Sequence, residues 1–221
     1  LRISITQRCN IHCSYCHREG EVKLANTSAE KMTIEEIVRI AKIAVSLGIT
    51  RIKLTGGEPL MRKDICTIVQ AISRISGLHD LSMTTNGIML ENLANTLFSA
   101  GLKRINISLP TLNHEKYAKL TGGKLENALA GVKAAVEAGF CPVKLNMVLL
   151  RCINTIDVPD MIDFARDSDT ILQLIELDPI NVSRDYYMKH HRFLTEQEVM
   201  LREKATRIET RRLMQNRLIY H

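Results

Sequence analysis

Three cysteines stand within eight residues as Cys9-x-x-x-Cys13-x-x-Cys16. Thiolates are soft metal ligands, and three on one short loop can converge on one centre. A structural zinc site closes with four protein ligands, commonly as two close pairs. No second pair follows here, and His12 and His17 each adjoin a ligand cysteine, so both are expected to point elsewhere. Three thiolates with one position left open suit a [4Fe–4S] cluster whose fourth iron takes an outside ligand. Zinc, or three unrelated cysteines, is the competing reading. Cys66, Cys141 and Cys152 lie singly in apolar surroundings and are expected as core residues. A disulfide framework does not suit a chain of this size without a secretion signal.

A second constellation is Gly56-Gly57-Glu58-Pro59. Glycines let backbone approach a ligand closely because they carry no Cβ, and Glu58 can accept from an ammonium group. Taken alone, the tetrapeptide is equally a turn.

The elements that must position these residues alternate. β-branched runs at 2–6, 51–55, 81–85, 104–109, 143–149 and 172–177 read as strands. Amphipathic stretches at 34–47, 64–75, 90–100, 125–138 and 158–165 read as helices. Thr33-x-x-Glu36 is a capping box, and Gly48, Gly101 and Gly139 each sit where a helix C-cap favours glycine. Six βα units imply an α/β fold with a parallel sheet, too short for a closed eight-stranded barrel. The expected architecture is a partial, open TIM-type barrel over 1–179. Polar residues gather at the strand ends: the cysteine loop, Gly56–Glu58, Thr84-Thr85-Asn86, Ser108, Asn146 and Glu176. That face carries the active site in parallel α/β folds. Residues 180–221 are expected to begin a C-terminal region, with 180–194 a loop and 195–210 a charged helix opened by a second capping box at Thr195-x-x-Glu198.

Cys-x-x-x-Cys-x-x-Cys after the first strand, with Gly-Gly-Glu-Pro after the second, resembles the radical S-adenosylmethionine (SAM) superfamily. The resemblance implies a [4Fe–4S] cluster on Cys9, Cys13 and Cys16 that cleaves SAM to a 5′-deoxyadenosyl radical. It further implies that Tyr15, Gly56, Gly57, Glu58 and Ser108 bind SAM, with Glu58's motif at the methionyl amino group and Tyr15 near the adenine. Such a radical needs a closed pocket.

A finer resemblance is carried by LRISITQRCNIHCSYCHREGE, RIKLTGGEPLMRKDI, MTTNG, GLKRINISL, PVKLNMV and LQLIEL. These stretches are similar to the GTP 3′,8-cyclase family of molybdenum cofactor biosynthesis, and CHREGE resembles its archaeal branch. The resemblance implies that Arg2, Lys53, Thr84 and Lys144 contact GTP, with Arg2 and Lys53 also catalytic. A triphosphate does need several cations, a bidentate Arg fork among them. The implied product is (8S)-3′,8-cyclo-7,8-dihydroguanosine 5′-triphosphate. Two departures stand out. The family carries a second three-cysteine [4Fe–4S] site in its C-terminal region, and no cysteine follows Cys152 here; Gln173 stands where bacterial members often have Arg. The chain begins at Leu1 inside a strand and stops at His221, so truncation at both ends is expected, with the second cluster in the missing part.

Hydrophobic residues make up 45% and charged residues 24%, enough to bury a core, and no apolar run is long enough to span a membrane. A cytoplasmic protein is expected. The excess of 30 Lys and Arg over 24 Asp and Glu, +6, suits a phosphorylated ligand without requiring one. Aromatics are 4% with no Trp, a poor supply for stacking nucleic-acid bases. The expected partners are GTP and a low-potential electron donor, with a homodimer left open and neither nucleic acid nor membrane. The alternatives are a peptide- or haem-modifying radical SAM enzyme and a non-catalytic metal-binding module. Metal analysis separates the last: iron with sulfide for an enzyme, zinc for a module.

Overall fold

The computed structural model describes residues 1–16, 32–180, 182–211 and 217–221. The predicted features at 17–21 lie outside them.

Six strands form one sheet in the order β1 (Arg2–Ser4), β2 (Arg51–Thr55), β3 (Asp80–Thr85), β4 (Arg104–Ser108), β5 (Val143–Leu149) and β6 (Ile171–Glu176). Every neighbouring pair is parallel. Parallel neighbours need crossovers longer than a hairpin. Helices provide them: α1 (Ile34–Ser46), α2 (Ile65–Ser73), α3 (Ala94–Ser99), α4 (His114–Thr121), α5 (Leu125–Glu137) and α6 (Val158–Asp167). The sheet runs from β1 to β6 without closing, so the α/β open barrel expected from the sequence is the fold. Among the described residues no helix is long and apolar enough to cross a membrane.

Side chains alternate across a strand, and here the two faces differ in kind. Ile52, Leu54, Leu81, Met83, Ile105, Ile107, Leu145 and Met147 are buried beneath the helices with Ile37, Ile68, Leu97, Val132 and Met161. The other face, inside the open barrel, is polar. Register sets it out in rows: Arg2 beside Lys53 and Ser82, then Thr84 beside Asn106 and Lys144, then Ser108 beside Asn146 and Gln173.

Several boundaries follow the pattern closely. The Thr33 capping box forms, and Gly48, Gly101 and Gly139 take φ of 83°, 108° and 90°. Others do not. The helix expected at 90–100 divides into a 3₁₀ turn (Leu90–Asn92) and α3. The unexpected α4 is opened by Asn113, whose side chain accepts from the Lys116 amide at 3.0 Å.

The stretch 180–194 is not simply a loop: Ser183 caps α7 (Arg184–His190), whose Tyr186 and Tyr187 pack against the small apolar cluster of Leu120, Leu150 and Leu177. The expected helix over 195–210 stops at Lys204 as α8 (Thr195–Lys204), and β7 (Ile208–Arg211) pairs antiparallel with β8 (Arg217–Tyr220). The second capping box does not form. Leu194 is already helical, and its amide donates to Glu176 Oε1 at 2.8 Å. Cys66 is half-buried on α2, but Cys141 and Cys152 are exposed, not core residues. Both sit in turns flanking β5, and Cys152 has φ of 63°.

Candidate active site

The cysteine loop leaves β1 at the carboxyl end of the sheet and is held from several sides. Amides of His12 and Ser14 donate to the carbonyls of Thr121 and Leu120 at the end of α4, each at 2.9 Å. The Ser14 hydroxyl lies 3.0 Å from the Tyr186 hydroxyl of α7. Beneath the loop, the buried Arg62 guanidinium donates to the carbonyls of Ile5 and Met32, both at 2.9 Å, and forms a fork with Asp64. Arg62 thus ties both flanks of the segment that begins with the cysteines. Nothing in its sequence position betrays that role.

Burial pushes the Cys13 thiol up to about 12; Cys16 and Cys9 add to the rise, and the Tyr15 hydroxyl offsets part of it. Burial likewise raises Cys9, with Glu58 and Cys16 contributing. Three thiolates brought onto one loop need positive charge. Bound metal supplies it and deprotonates coordinating thiols outright. Among the described residues no three His, Cys, Asp or Glu side chains converge as one bare ion requires. Three thiolates on one loop are the donor set that a [4Fe–4S] cluster takes when one iron is left to an outside ligand, so the chemistry of these residues fits the group. Tyr15 packs with Leu120, Leu150 and Leu177 beneath the loop.

The Gly56–Glu58 loop is docked directly on the cysteine loop. Gly57 and Glu58 amides donate to the carbonyls of Thr6 and Arg8 at 2.8 and 2.7 Å. A Cβ on Gly56 would lie 2.2 Å from the Thr6 carbonyl oxygen, and one on Gly57 would lie 2.4 Å from that of Arg8. The glycines are thus needed for contact between the two loops, whatever ligand they also approach. Glu58 is 1% exposed. Its Oε1 accepts from the Leu60 amide at 3.0 Å and the Thr85 hydroxyl at 2.6 Å, and its Oε2 from the Asn86 amide at 2.7 Å. Burial raises its pKa, and those three hydrogen bonds oppose the rise. The carboxylate expected to receive an ammonium is already an anchor between β2 and β3, with lone-pair capacity left on Oε2.

Of the remaining predicted site residues, all lie on the polar face. Arg2 and Lys53 are Cα partners across β1 and β2. Thr84 and Lys144 lie one row nearer the cysteine loop, with buried Asn106 between them in the sheet. Ser108 is a further row along, level with Asn146 and Gln173. Rows two residues apart are separated by roughly 6–7 Å. The face therefore offers hydroxyl and amide groups near the cysteines and cations deeper in. Sequence reasoning assigned no role to Asn106, which donates to Asn146 at 3.4 Å, or to Asn86, which joins the two loops.

An all-parallel open barrel with this loop pair defines a class. The profile of the Radical SAM superfamily matches residues 3–165, and the chain belongs to that superfamily, whose enzymes carry a [4Fe–4S] cluster and use SAM. Within it, the chain belongs to the family of archaeal relatives each described as a "Probable GTP 3',8-cyclase". The relative from Methanocaldococcus jannaschii is 45% identical over 222 residues, covering 100% of this chain and 72% of its own. That from Methanothermobacter marburgensis is also 45% identical, covering 100% and 71%. The fold is shared with Streptococcus suis SuiB bound to S-adenosylmethionine: the TM-score is 0.70 at 16% identity, over 91% of this chain and 48% of that one. Methylornithine synthase (PylB) gives 0.64 at 19%, over 80% and 53%.

Proposed function

We propose that this chain carries the SAM-cleaving and GTP-binding centre of a GTP 3′,8-cyclase. The observation that carries the proposal is the union of the cysteine loop and Gly56–Glu58 at the end of strands whose inner face bears Arg2, Lys53 and Lys144. Cys9, Cys13 and Cys16 hold the cluster. Bound there, the cluster and SAM would supply the chemistry that removes a hydrogen atom from C3′ of GTP, and the low-potential donor would supply the electron that, with a proton, completes closure of that carbon on guanine C8. The chain's own part is placement. Gly56, Gly57 and Glu58 seat the methionyl end of SAM through their backbone, Tyr15 and Ser108 flank its adenosine, and Thr84 and Lys144 bind GTP. Arg2 and Lys53 grip the triphosphate and act in catalysis through that orientation; charged, desolvated hydrogen bonds are the strong ones. Residues 180–221 are the start of a C-terminal region. The product is the 3′,8-cyclo-7,8-dihydro nucleotide of molybdenum cofactor biosynthesis.

The test uses GTP carrying deuterium at C3′, with reductant and SAM, under anaerobic conditions. Deuterium should appear in 5′-deoxyadenosine. If 5′-deoxyadenosine forms without label and regardless of GTP, the substrate reading fails and a different radical SAM reaction must be sought.

A further inference from the structure

Asn86 follows β3 and is 6% exposed. Its polar atoms reach three segments. The backbone amide donates to Glu58 Oε2 at 2.7 Å, and the side-chain Oδ1 accepts from the Ile88 amide at 3.1 Å. That second bond decides which end of the side-chain amide is oxygen. The nitrogen end is therefore the one turned toward the cysteine loop. There Nδ2 donates to Asn10 Oδ1 at 2.8 Å and lies 4.0 Å from Cys9 Sγ. A primary amide carries two N–H bonds. One serves Asn10, which leaves the second for the Cys9 sulfur at the long end of N–H···S reach.

An N–H group directed at a ligand sulfur favours the electron-rich reduced state, and hydrogen bonds to sulfur are among the main determinants of an iron–sulfur potential. Resting on the reading of Cys9 as a cluster ligand, we propose that Asn86 is a positioning residue for Cys9 and raises the reduction potential of the cluster through its N–H···S contact. The same residue grips Glu58, so the cluster loop and the Gly56–Glu58 loop are set by one side chain and its own amide. A merely structural asparagine would hold the loops without influencing the potential.

The experiment compares the reconstituted chain with its Asn86→Leu and Asn86→Asp variants. Iron and sulfide content, the midpoint potential from redox-poised EPR, and electron–nuclear double resonance in D₂O are measured on each. Equal iron content is expected, with a lower midpoint potential in Asn86→Leu, a still lower one in Asn86→Asp, and loss of one exchangeable deuteron coupling in Asn86→Leu. Variants that hold full iron with wild-type potential and coupling overturn the proposal while leaving the cluster assignment standing. If both variants lose iron, the wild-type chain labelled with amide-¹⁵N asparagine decides: a coupled ¹⁵N upholds the contact, and none overturns it. A wild-type cluster signal that survives Cys9→Ser overturns the ligand reading itself, and the proposal with it.

Discussion

The buried carboxylate of Glu58 accepts the backbone amide of Asn86 at 2.7 Å, joining the turn after β2 to the turn after β3 directly beneath the cysteine loop. Glu58→Gln keeps an oxygen for Leu60 and Thr85 but turns an NH₂ toward the Asn86 amide, so two donors face each other. A buried donor left without a partner costs about 1–3 kcal/mol, and the charge lost was itself held by three hydrogen bonds. The melting temperature of the metal-free chain should fall by several degrees. An unchanged value would show that the Glu58 network is not an anchor.

The glycines make a sharper test. Gly57→Ala puts a methyl group against the Arg8 carbonyl, at a site where neither backbone can retreat without separating the loops. Overpacking of this kind costs about 1–3 kcal/mol and displaces backbone. Gly122→Ala is the control: φ is 73°, but the space around it is open, so only local strain of about 1 kcal/mol is expected. Iron content after reconstitution should collapse in Gly57→Ala and persist in Gly122→Ala.

Tyr117 supplies a pH prediction. Its hydroxyl is buried without a hydrogen-bond partner among the described residues; nearby Thr121 already donates to the Tyr117 carbonyl and accepts the Gly123 amide. Burial pushes its pKa up to about 12 from 10.0, with Cys13 adding to the rise. A phenol raised on folding contributes stability that is complete below pH 10 and is lost as pH climbs toward 12. Tyr117→Phe should remove that part of the alkaline loss and be neutral or slightly stabilising at pH 7, because no bond is broken. Denaturant unfolding at pH 7 and pH 11 measures both. A mutant that is clearly destabilised at pH 7 would mean that the hydroxyl has a partner.

The polar face should divide by row. Lys144→Ala should weaken GTP binding by roughly 10- to 100-fold, the effect of losing a charge-assisted hydrogen bond worth about 1.5–3 kcal/mol. Ser108→Ala, a row nearer the cysteines, should instead weaken SAM binding and leave GTP affinity within a few-fold. Calorimetric titration of both ligands against both variants checks the division; equal losses for both ligands in both variants would erase it.

Much of this was legible in the chain. β2 and β5 match their sequence-based bounds because alternation is regular where one face is apolar and the other polar. The cysteine spacing and Gly-Gly-Glu-Pro marked two loops that the structure joins. Their mutual docking was not legible, because it depends on 2.2–2.4 Å clearances between segments some 50 residues apart. Arg62 escaped because its long-range partners are the carbonyls of Ile5 and Met32, which sequence does not distinguish, and Asn86 was placed on the polar face without its link to Glu58. At 195–210 helix propensity misled, since pairing with β8 overrides it at Ile208. The exposed Cys141 and Cys152 misled because apolar neighbours do not bury a turn.

In the function proposed above, Cys9, Cys13 and Cys16 hold a cluster that cleaves SAM. The most direct measurement is 5′-deoxyadenosine release from SAM by the anaerobically reconstituted, reduced chain, set beside its Cys13→Ala variant. Release by the wild type and none by the variant is the predicted result. Equal release from both, or an intact iron–sulfur cluster in the wild type that yields none, would contradict the account.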